Sequence, residues 1–583
     1  MLEPLHMVTT NLTTLLLLII GLLIYKFIYP KRKVRFSVII LMLSSILSIS
    51  IFRQGGYESG DFNIHLYRTI SFFTSLNEGI LLPSWAGQLN QTYGYPLFIF
   101  NYPLPYYLIS FFHLLGFGYV ISMKLFLTLN IFGSGLIMYW TMRQHFKNDL
   151  AAFTATVFYL FVPYHLIDVH FKVVIGEILF FTLLPLALYF LDKLVKKKVE
   201  SILYFGIVFF LLVLSHVVIA LFAAILFTSI SIMFYFEDKR NGRRIIYSTI
   251  FALCIGGIMS LYIWTTPFLM SKYTIYQQIL TPTVYSVELK ELIFSPYRYG
   301  LLFQGPKGEI ANIIGYSQLL VVFGLIFVLF KRGVKSKIKS RLIFWLGSFF
   351  ILTFLITPYA DIIWREIPLL RNVGNQRILI LVAFVTSILA GYLPIIFPKK
   401  QKIIYIFLLV TVLSTSLNWG QRRVIPTTDD SYLLKNLPQS TVNGEAHFYA
   451  NSKWVNKDKM WFLNPPLNNL IIKRGNGEIK ELSRNSTIHR YVVYAKSPLI
   501  LQESTLYFPG WIVKINNKVV PISYETDALI NFLAPNGLSL IEVSYSDIPQ
   551  YKTVKIISII GIILVILQLL LTQIKKRYRF KRT

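Results

Sequence analysis

A chain of 583 residues that is 55% hydrophobic, with 57 Lys and Arg against 27 Asp and Glu and a net charge of +30, exceeds what one soluble domain needs. In a soluble protein so basic a balance would point to nucleic acid. Here the mean hydropathy is +0.58 and the basic residues stand in short clusters between long apolar runs, which excludes nucleic acid as a partner and reads as the charge code of a membrane protein.

The clusters fall at 31–35, 143–147, 193–198, 239–244, 331–341, 399–402 and 575–582. Placing all seven in the cytoplasm predicts a polytopic α-helical membrane protein with about 13 transmembrane helices, N-terminus outside and C-terminus cytoplasmic, in a bacterial cell membrane. The spans run near 12–29, 36–52, 120–140, 150–166, 177–192, 201–216, 217–236, 246–265, 313–330, 342–358, 378–396, 403–419 and 553–573. The first lacks a basic n-region and reads as a retained span rather than a cleaved leader. The stretch 95–116 is apolar, but Pro96, Pro103 and Pro105 interrupt it, so it reads as interfacial or re-entrant. Cys254, the single cysteine, lies inside an apolar run; it excludes an intrachain disulfide and reads as packing.

Five regions follow: N-terminal transmembrane helices over 1–52, a first external loop over 53–119, a transmembrane core over 120–419, an extracytoplasmic β-rich domain over 420–551, and a last helix with a basic tail over 552–583. In the fourth, Trp511 to Ile515 and Lys518 to Val520 flank Asn516-Asn517, a hairpin signal. Further strand-like runs stand at Tyr491 to Tyr494 and Ser539 to Tyr545.

Acidic residues are few, and Glu58, Asp61, Asp168 and Glu177 border apolar segments on one predicted face. A carboxylate near lipid is costly and is a functional candidate by default. If a helix starts near Asp61, then Asp61, His65 and Arg68 share one face at i, i+4 and i+7. Such a carboxylate can take a proton from a hydroxyl, and His65 and Arg68 can orient it or bind phosphate. The simpler role for Asp61 is an N-cap, and for Arg68 an interfacial anchor. Trp85, Tyr93 and Tyr95 read as residues that seat the loop.

Gly60-Asp61, His65 and Arg68, then Pro83 and Trp85, Tyr93-Gly94-Tyr95-Pro96, Pro103-Leu104 and Tyr106-Tyr107 form a pattern. It continues with Pro163 through Asp168, Gly176-Glu177, Leu184-Pro185, Ser215-His216, Trp364, Ile367-Pro368-Leu369-Leu370 and Arg377. Over most of its length the chain resembles the bacterial 6-pyruvoyl-tetrahydropterin synthase-related family of integral membrane proteins. Tyr507-Phe508-Pro509-Gly510-Trp511 resembles a motif of the related YfhO-like membrane proteins. These families resemble the C-type (GT-C) glycosyltransferase superfamily. That resemblance implies a GT-C-like fold, with Asp61 as the first-loop carboxylate and Asp168 as the second. The chain departs from the family pattern at Lys172, where an arginine is usual, and at Asn375-Gln376 before Arg377.

The function so implied is a membrane glycosyltransferase. It takes a sugar from a polyprenyl-phosphate donor to an extracytoplasmic acceptor, a glycan, lipid or protein of the cell envelope. Asp61 serves as general base, with Asp168 and Glu177 catalytic beside it. His65, Arg68, Lys172, His216, Arg298 and Arg377 bind substrate, chiefly its phosphate. Asp168 and Glu177 suit a divalent cation, Mg or Mn, or the acceptor; their simpler role is a salt bridge with Lys172. His216 reads equally as a satisfied polar group, and Arg298 and Arg377 as head-group anchors. No His/Cys cluster has zinc-ligand spacing. The alternatives are a lipid-linked saccharide flippase and a non-catalytic envelope accessory protein.

Overall fold

The computed structural model describes residues 3–196, 200–275, 285–331, 333–367, 370, 373–420, 423–437, 450–455 and 465–580. Pro368 and Leu369 of the family pattern lie outside them. By length and composition, nine helices among the described residues suffice to cross a membrane, or ten if the bent pair Asp149–Leu160 and Pro163–Lys172 is one span. Three further apolar helices, Phe36–Phe52, Ser201–Ser215 and Tyr316–Phe330, fall on expected spans but hold 10–17 residues, fewer than the ~20 a ~30 Å hydrocarbon layer asks for. Every expected span is thus helical, but length and composition alone support nine or ten crossings rather than 13.

The Asn375–Ile396 segment lies at the centre, with 89% of its apolar window buried, whereas Met7–Ile28 and Pro549–Ile574 stand at the periphery with 11% each. The 95–116 stretch does not form one long helix. It breaks at Asn101, Tyr102 and Pro103 into Leu97–Phe100 and Leu104–Leu114, the latter too short to cross. Cys254 is exposed on the Lys239–Met259 helix rather than packed inside, because its position faces away from the bundle.

The β-rich domain forms as two sheets. Strands are β1 Gly56–Tyr57, β2 Val424–Ile425, β3 Leu470–Arg474, β4 Gly477–Arg484, β5 Ile488–Ala495, β6 Leu499–Leu506, β7 Trp511–Ile515, β8 Lys518–Val520, β9 Ile522–Ser523, β10 Leu529–Ala534 and β11 Gly537–Tyr545. A four-stranded sheet runs β3-β6-β10-β9 and a five-stranded sheet runs β4-β5-β11-β7-β8. The expected hairpin is β7–β8, with Asn516 and Asn517 both left-handed (φ 47° and 65°), the conformation a type I′ turn demands. Alternation buries Tyr491, Val493, Val513, Ile541 and Val543. From β6, Glu503 accepts hydrogen bonds from Arg484 and from His489 Nδ1 (2.9 Å) of the other sheet, so the two sheets pack face to face.

Four contacts lock this domain to the first loop and the core. Strand β1 pairs antiparallel with β2. Asp430 accepts from Tyr119 N (2.8 Å) and Val120 N (3.2 Å), satisfying orphan donors at the start of the Tyr119–Phe146 helix. Trp85 is buried and meets Trp511 edge-on at 5.3 Å, so its role is to seat the loop. Lys555 on the last helix donates to Ser84 Oγ (2.7 Å) and Leu82 O (3.2 Å) and pairs with Asp547 (2.6 Å).

Candidate active site

The second expected loop begins where the Asp149–Leu160 helix ends. Pro163 cannot continue the hydrogen-bond ladder, and the chain bends by 47° into Pro163–Lys172. Its last turn, Asp168–Lys172, is a single π-type turn closed by Val173 N to Asp168 O at 2.7 Å. Val173 is fully buried with φ +57°, an outlier for a β-branched residue that persists only where packing over-determines it. The turn leaves the carbonyls of Phe171 and Lys172 unused by the helix. They accept from Gly60 N (2.9 Å) and Asp61 N (2.8 Å). Glycine at 60 permits this approach, since a Cβ there would lie 3.0 Å from Lys172 O.

Asp61 starts the Phe62–Asn77 helix, but its carboxylate makes no cap hydrogen bond. Ser59 Oγ accepts from the first helical N–H, Phe62 N, at 3.0 Å. The Asp61 side chain is 38% exposed, and its Oδ2 lies 3.9 Å from His65 Nε2. Burial raises its pKa, and Arg68, Arg377 and Lys172 act in the opposite sense. His65 is held neutral, chiefly by burial and then by Arg68. The Tyr106 hydroxyl accepts from Asn101 Nδ2 (3.0 Å) and from Arg68, so its proton goes to His65 Nδ1, 2.9 Å away. That assigns the remaining ring proton to Nε2, on the side of Asp61. Arg68 is buried and bonded by the Tyr95 and Tyr106 hydroxyls. It contributes charge near Asp61 from a fixed position.

Beside this lies a second group. Lys172 Nζ is 3.0 Å from Asp168 Oδ1 and 3.3 Å from Glu177 Oε2, and donates to the Tyr164 hydroxyl at 2.8 Å. That hydroxyl donates to Glu177 Oε2 at 2.7 Å. Arg377 pairs with Glu177 Oε1 and lies 3.2 Å from His216 Nε2. Asp168 and Glu177 are wholly buried, whereas Lys172 and Arg377 keep 16% and 29% of their side chains exposed. The carboxylates are therefore behind and the cations in front. Tyr102 joins the two halves, its ring 6.2 Å from His65 and 6.0 Å from His216. Gly176 lets Tyr102 and the end of the Ser201–Ser215 helix close in, for a Cβ there would lie 2.4 Å from Ser215 O.

Eight of the nine residues anticipated from sequence gather here. Arg298 does not: it occupies a left-handed position in the turn at 297–302, and no contact among the described residues joins it to the cluster. Glu58 is exposed and is tied by its backbone to Arg423. Tyr106 and Tyr164 carry hydroxyl hydrogen bonds, and Tyr102 ring contacts, that sequence reasoning did not assign; a side chain's value to a site depends on partners distant in the chain. Asp168 and Glu177 do not fit the expected Mg or Mn ion. The place between them is taken by the Lys172 ammonium, and among the described residues no three His, Cys, Asp or Glu side chains stand close enough to hold a metal. A divalent ion at Asp168 would meet the Lys172 ammonium, which already stands 3.0 Å from Oδ1.

Residues 99–421, over half the chain, match the profile of a membrane-protein family described as the 6-pyruvoyl-tetrahydropterin synthase related domain. The chain belongs to this family. The match includes Asp168, Lys172, Glu177, His216 and Arg377 but not Asp61, His65, Arg68 or the β-domain. An uncharacterized protein of Lactococcus lactis subsp. cremoris (strain MG1363) is 24% identical over 137 residues, 23% of this chain and 22% of that protein. Two solved structures are similar in part. The mycobacterial arabinofuranosyltransferase AftD is 17% identical, over 68% of this chain and 27% of that one, with a TM-score of 0.40. The Archaeoglobus fulgidus oligosaccharyltransferase in its apo form is 14% identical, over 74% and 59%, with a TM-score of 0.43. The matched stretch spans less than two thirds of each of these relatives.

Proposed function

We propose that this family member is a membrane glycosyltransferase that moves a sugar from a polyprenyl-phosphate donor to a hydroxyl acceptor at the membrane face bearing the β-domain. By the placement of basic clusters, that face is extracytoplasmic, the C-terminus is cytoplasmic, and the membrane is a bacterial cell membrane. One observation carries the reading. An uncapped, part-exposed carboxylate, Asp61, is bonded through its backbone to Lys172, whose ammonium heads a cation pair facing outward.

In this reading the acceptor hydroxyl gives its proton to Asp61 as its oxygen attacks the anomeric carbon. The bond from that carbon to the phosphate oxygen breaks, and the phosphate leaves with the electron pair. Attack from the opposite face inverts the anomeric configuration. Lys172 and Arg377 stabilise the departing charge. Asp168, Glu177 and Tyr164 are positioning residues that hold those cations, and His216 orients Arg377. His65, its Nε2–H toward Asp61, aligns the carboxylate, and Arg68 fixes Tyr106 behind it. Membrane lipid supports the polyprenyl tail, and an envelope glycan, lipid or protein serves as acceptor.

The test is turnover by the full chain in lipid vesicles supplied with polyprenyl-phosphate sugars, with the anomeric configuration of the product read by NMR. Transfer with inversion supports the reading. Transfer with retention contradicts the single displacement, and movement of the intact lipid-linked sugar across the bilayer without transfer contradicts the reaction.

A further inference from the structure

At the far end of the helix that begins at Asp61 lies a cavity of about 420 Å³, between the first loop and the β-domain. Thr74 and Glu78 mark that end, and the 16-residue helix Phe62–Asn77 sets the cavity about 24 Å from Asp61 at 1.5 Å per residue. Its walls join the rings of Trp85 and Tyr93 from the loop to Arg484, Asn485 and His489 from the β-domain, with Leu434 at one side. The cavity is fixed rather than formed on demand. Ser486 N donates to Glu78 (2.9 Å), Gln88 Nε2 to Ser486 Oγ (2.9 Å), and Leu506 N to Tyr93 O (2.9 Å). The loop reaches it through Asn90, Gln91 and Thr92, three consecutive residues with positive φ (58°, 58° and 69°). Such a run is sparsely populated for residues other than glycine and is characteristic of functional segments.

The chemistry of the walls selects the occupant. Arg484 donates to Glu503, to the Tyr491 hydroxyl (3.0 Å) and to Thr505 Oγ1 (3.1 Å), and His489 Nδ1 meets Glu503, so no uncompensated cation waits for an anion. The Glu78 carboxylate, which accepts a backbone N–H, adds negative charge to the wall. The rest of the wall is uncharged: the Asn485 amide N–H, whose Oδ1 already accepts from Thr487 N and Ile488 N, the Thr92 hydroxyl, and the Thr74 hydroxyl, which donates to Ile70 O (2.9 Å) and can still accept, beside rings and an exposed leucine. Alternating hydroxyl and C–H surface is what a sugar offers, and a wall that sets rings and leucines beside amides and hydroxyls matches both, in a cavity whose volume lies in the ordinary range of ligand sites. We propose that this cavity binds an uncharged oligosaccharide, the distal part of an extended acceptor glycan whose reacting end lies at Asp61. The assignment of this glycan as acceptor rests on the transferase reading; its binding does not.

The experiment is an array of neutral oligosaccharides of increasing length and of their uronic-acid and sulfated counterparts, probed with the full chain in nanodiscs. Two variants accompany it. Asn485→Asp keeps the Oδ1 that holds the local turn but replaces the amide donor with a charge, and Leu434→Ala trims a solvent-exposed wall. Binding of neutral chains that strengthens with length, falling at least tenfold in Asn485→Asp and several-fold in Leu434→Ala, is expected. Failure to bind any neutral chain, preference for the anionic ones, or binding unchanged in both variants overturns the proposal. Asp61→Asn separates the two readings: lost transfer with full glycan binding supports both. Binding without transfer in the wild type keeps the cavity and removes the reaction, and transfer without binding does the reverse.

Discussion

The backbone N–H of Asp61 donates to the carbonyl of Lys172 at 2.8 Å, joining two loops separated by more than a hundred residues. The bond exists because the Asp168–Lys172 turn withholds its carbonyls from the helix ladder. It places a candidate base next to a buried carboxylate pair whose charge Lys172 and Arg377 meet.

Lys172 carries the first prediction. Removing it by Lys172→Met leaves Asp168 uncompensated and Glu177 with Arg377 alone, and breaking one partner of a buried ion pair costs roughly 3–5 kcal/mol. Thermal unfolding in nanodiscs is expected at a clearly lower temperature, with transfer lost. Lys172→Arg, the residue usual in the family pattern, keeps the charge and is expected to retain most of both. Equal stability of Lys172→Met and wild type contradicts the assignment.

Divalent ions give the second. With the ammonium between Asp168 and Glu177, the site already holds its counter-charge. Transfer measured after exhaustive chelation, and again after adding Mg or Mn, is expected to be the same. Activity that disappears on chelation and returns with either ion contradicts this.

How much of this was legible beforehand differs by element. The spans, the hairpin at Asn516-Asn517 and the acidic positions follow from apolar run length, turn chemistry and the cost of charge near lipid, which are local. That Lys172 would bridge two carboxylates was visible as one of two roles, but the choice required the π-type turn at Asp168, which no local pattern announces. Capping is the simpler expectation for Asp61; the residue does stand at the N-cap position, but with ψ 3° rather than the extended backbone usual there, and its carboxylate makes no cap hydrogen bond. The tyrosine hydroxyls and the cavity at Arg484 depend on contacts across hundreds of residues, beyond the reach of periodicity.

Gly176 supplies the third prediction. In Gly176→Ala the methyl must displace both Ser215 O, at 2.4 Å, and the Tyr102 ring, at 2.9 Å. Overpacking of this kind costs about 1–3 kcal/mol and moves His216 and Tyr102 together. A drop in melting temperature and a fall in transfer of at least tenfold are expected. A variant with wild-type kinetics contradicts the contact.

The pH response of Asp61 gives the fourth. Burial raises its folded pKa above the usual 3.8, so the native state holds the proton to higher pH than the unfolded chain. Stability from this group is present below 3.8 and declines as pH rises from there through the raised value. At neutral pH the ionised carboxylate therefore destabilises the fold, and Asp61→Asn is expected to melt at or above the wild-type temperature. Transfer, which needs the ionised base, is expected to fall as pH drops through the same window. A destabilised Asp61→Asn with an unchanged acid limb contradicts both.

The most direct measurement is the turnover of Asp61→Asn beside wild type, in the same vesicles with the same polyprenyl-phosphate sugar, after insertion and melting temperature show both folded. A loss of transfer by two to four orders of magnitude, the range a positioned general base contributes, with donor binding retained, is the expected result. Transfer at the wild-type rate would remove Asp61 as the base and contradict the account.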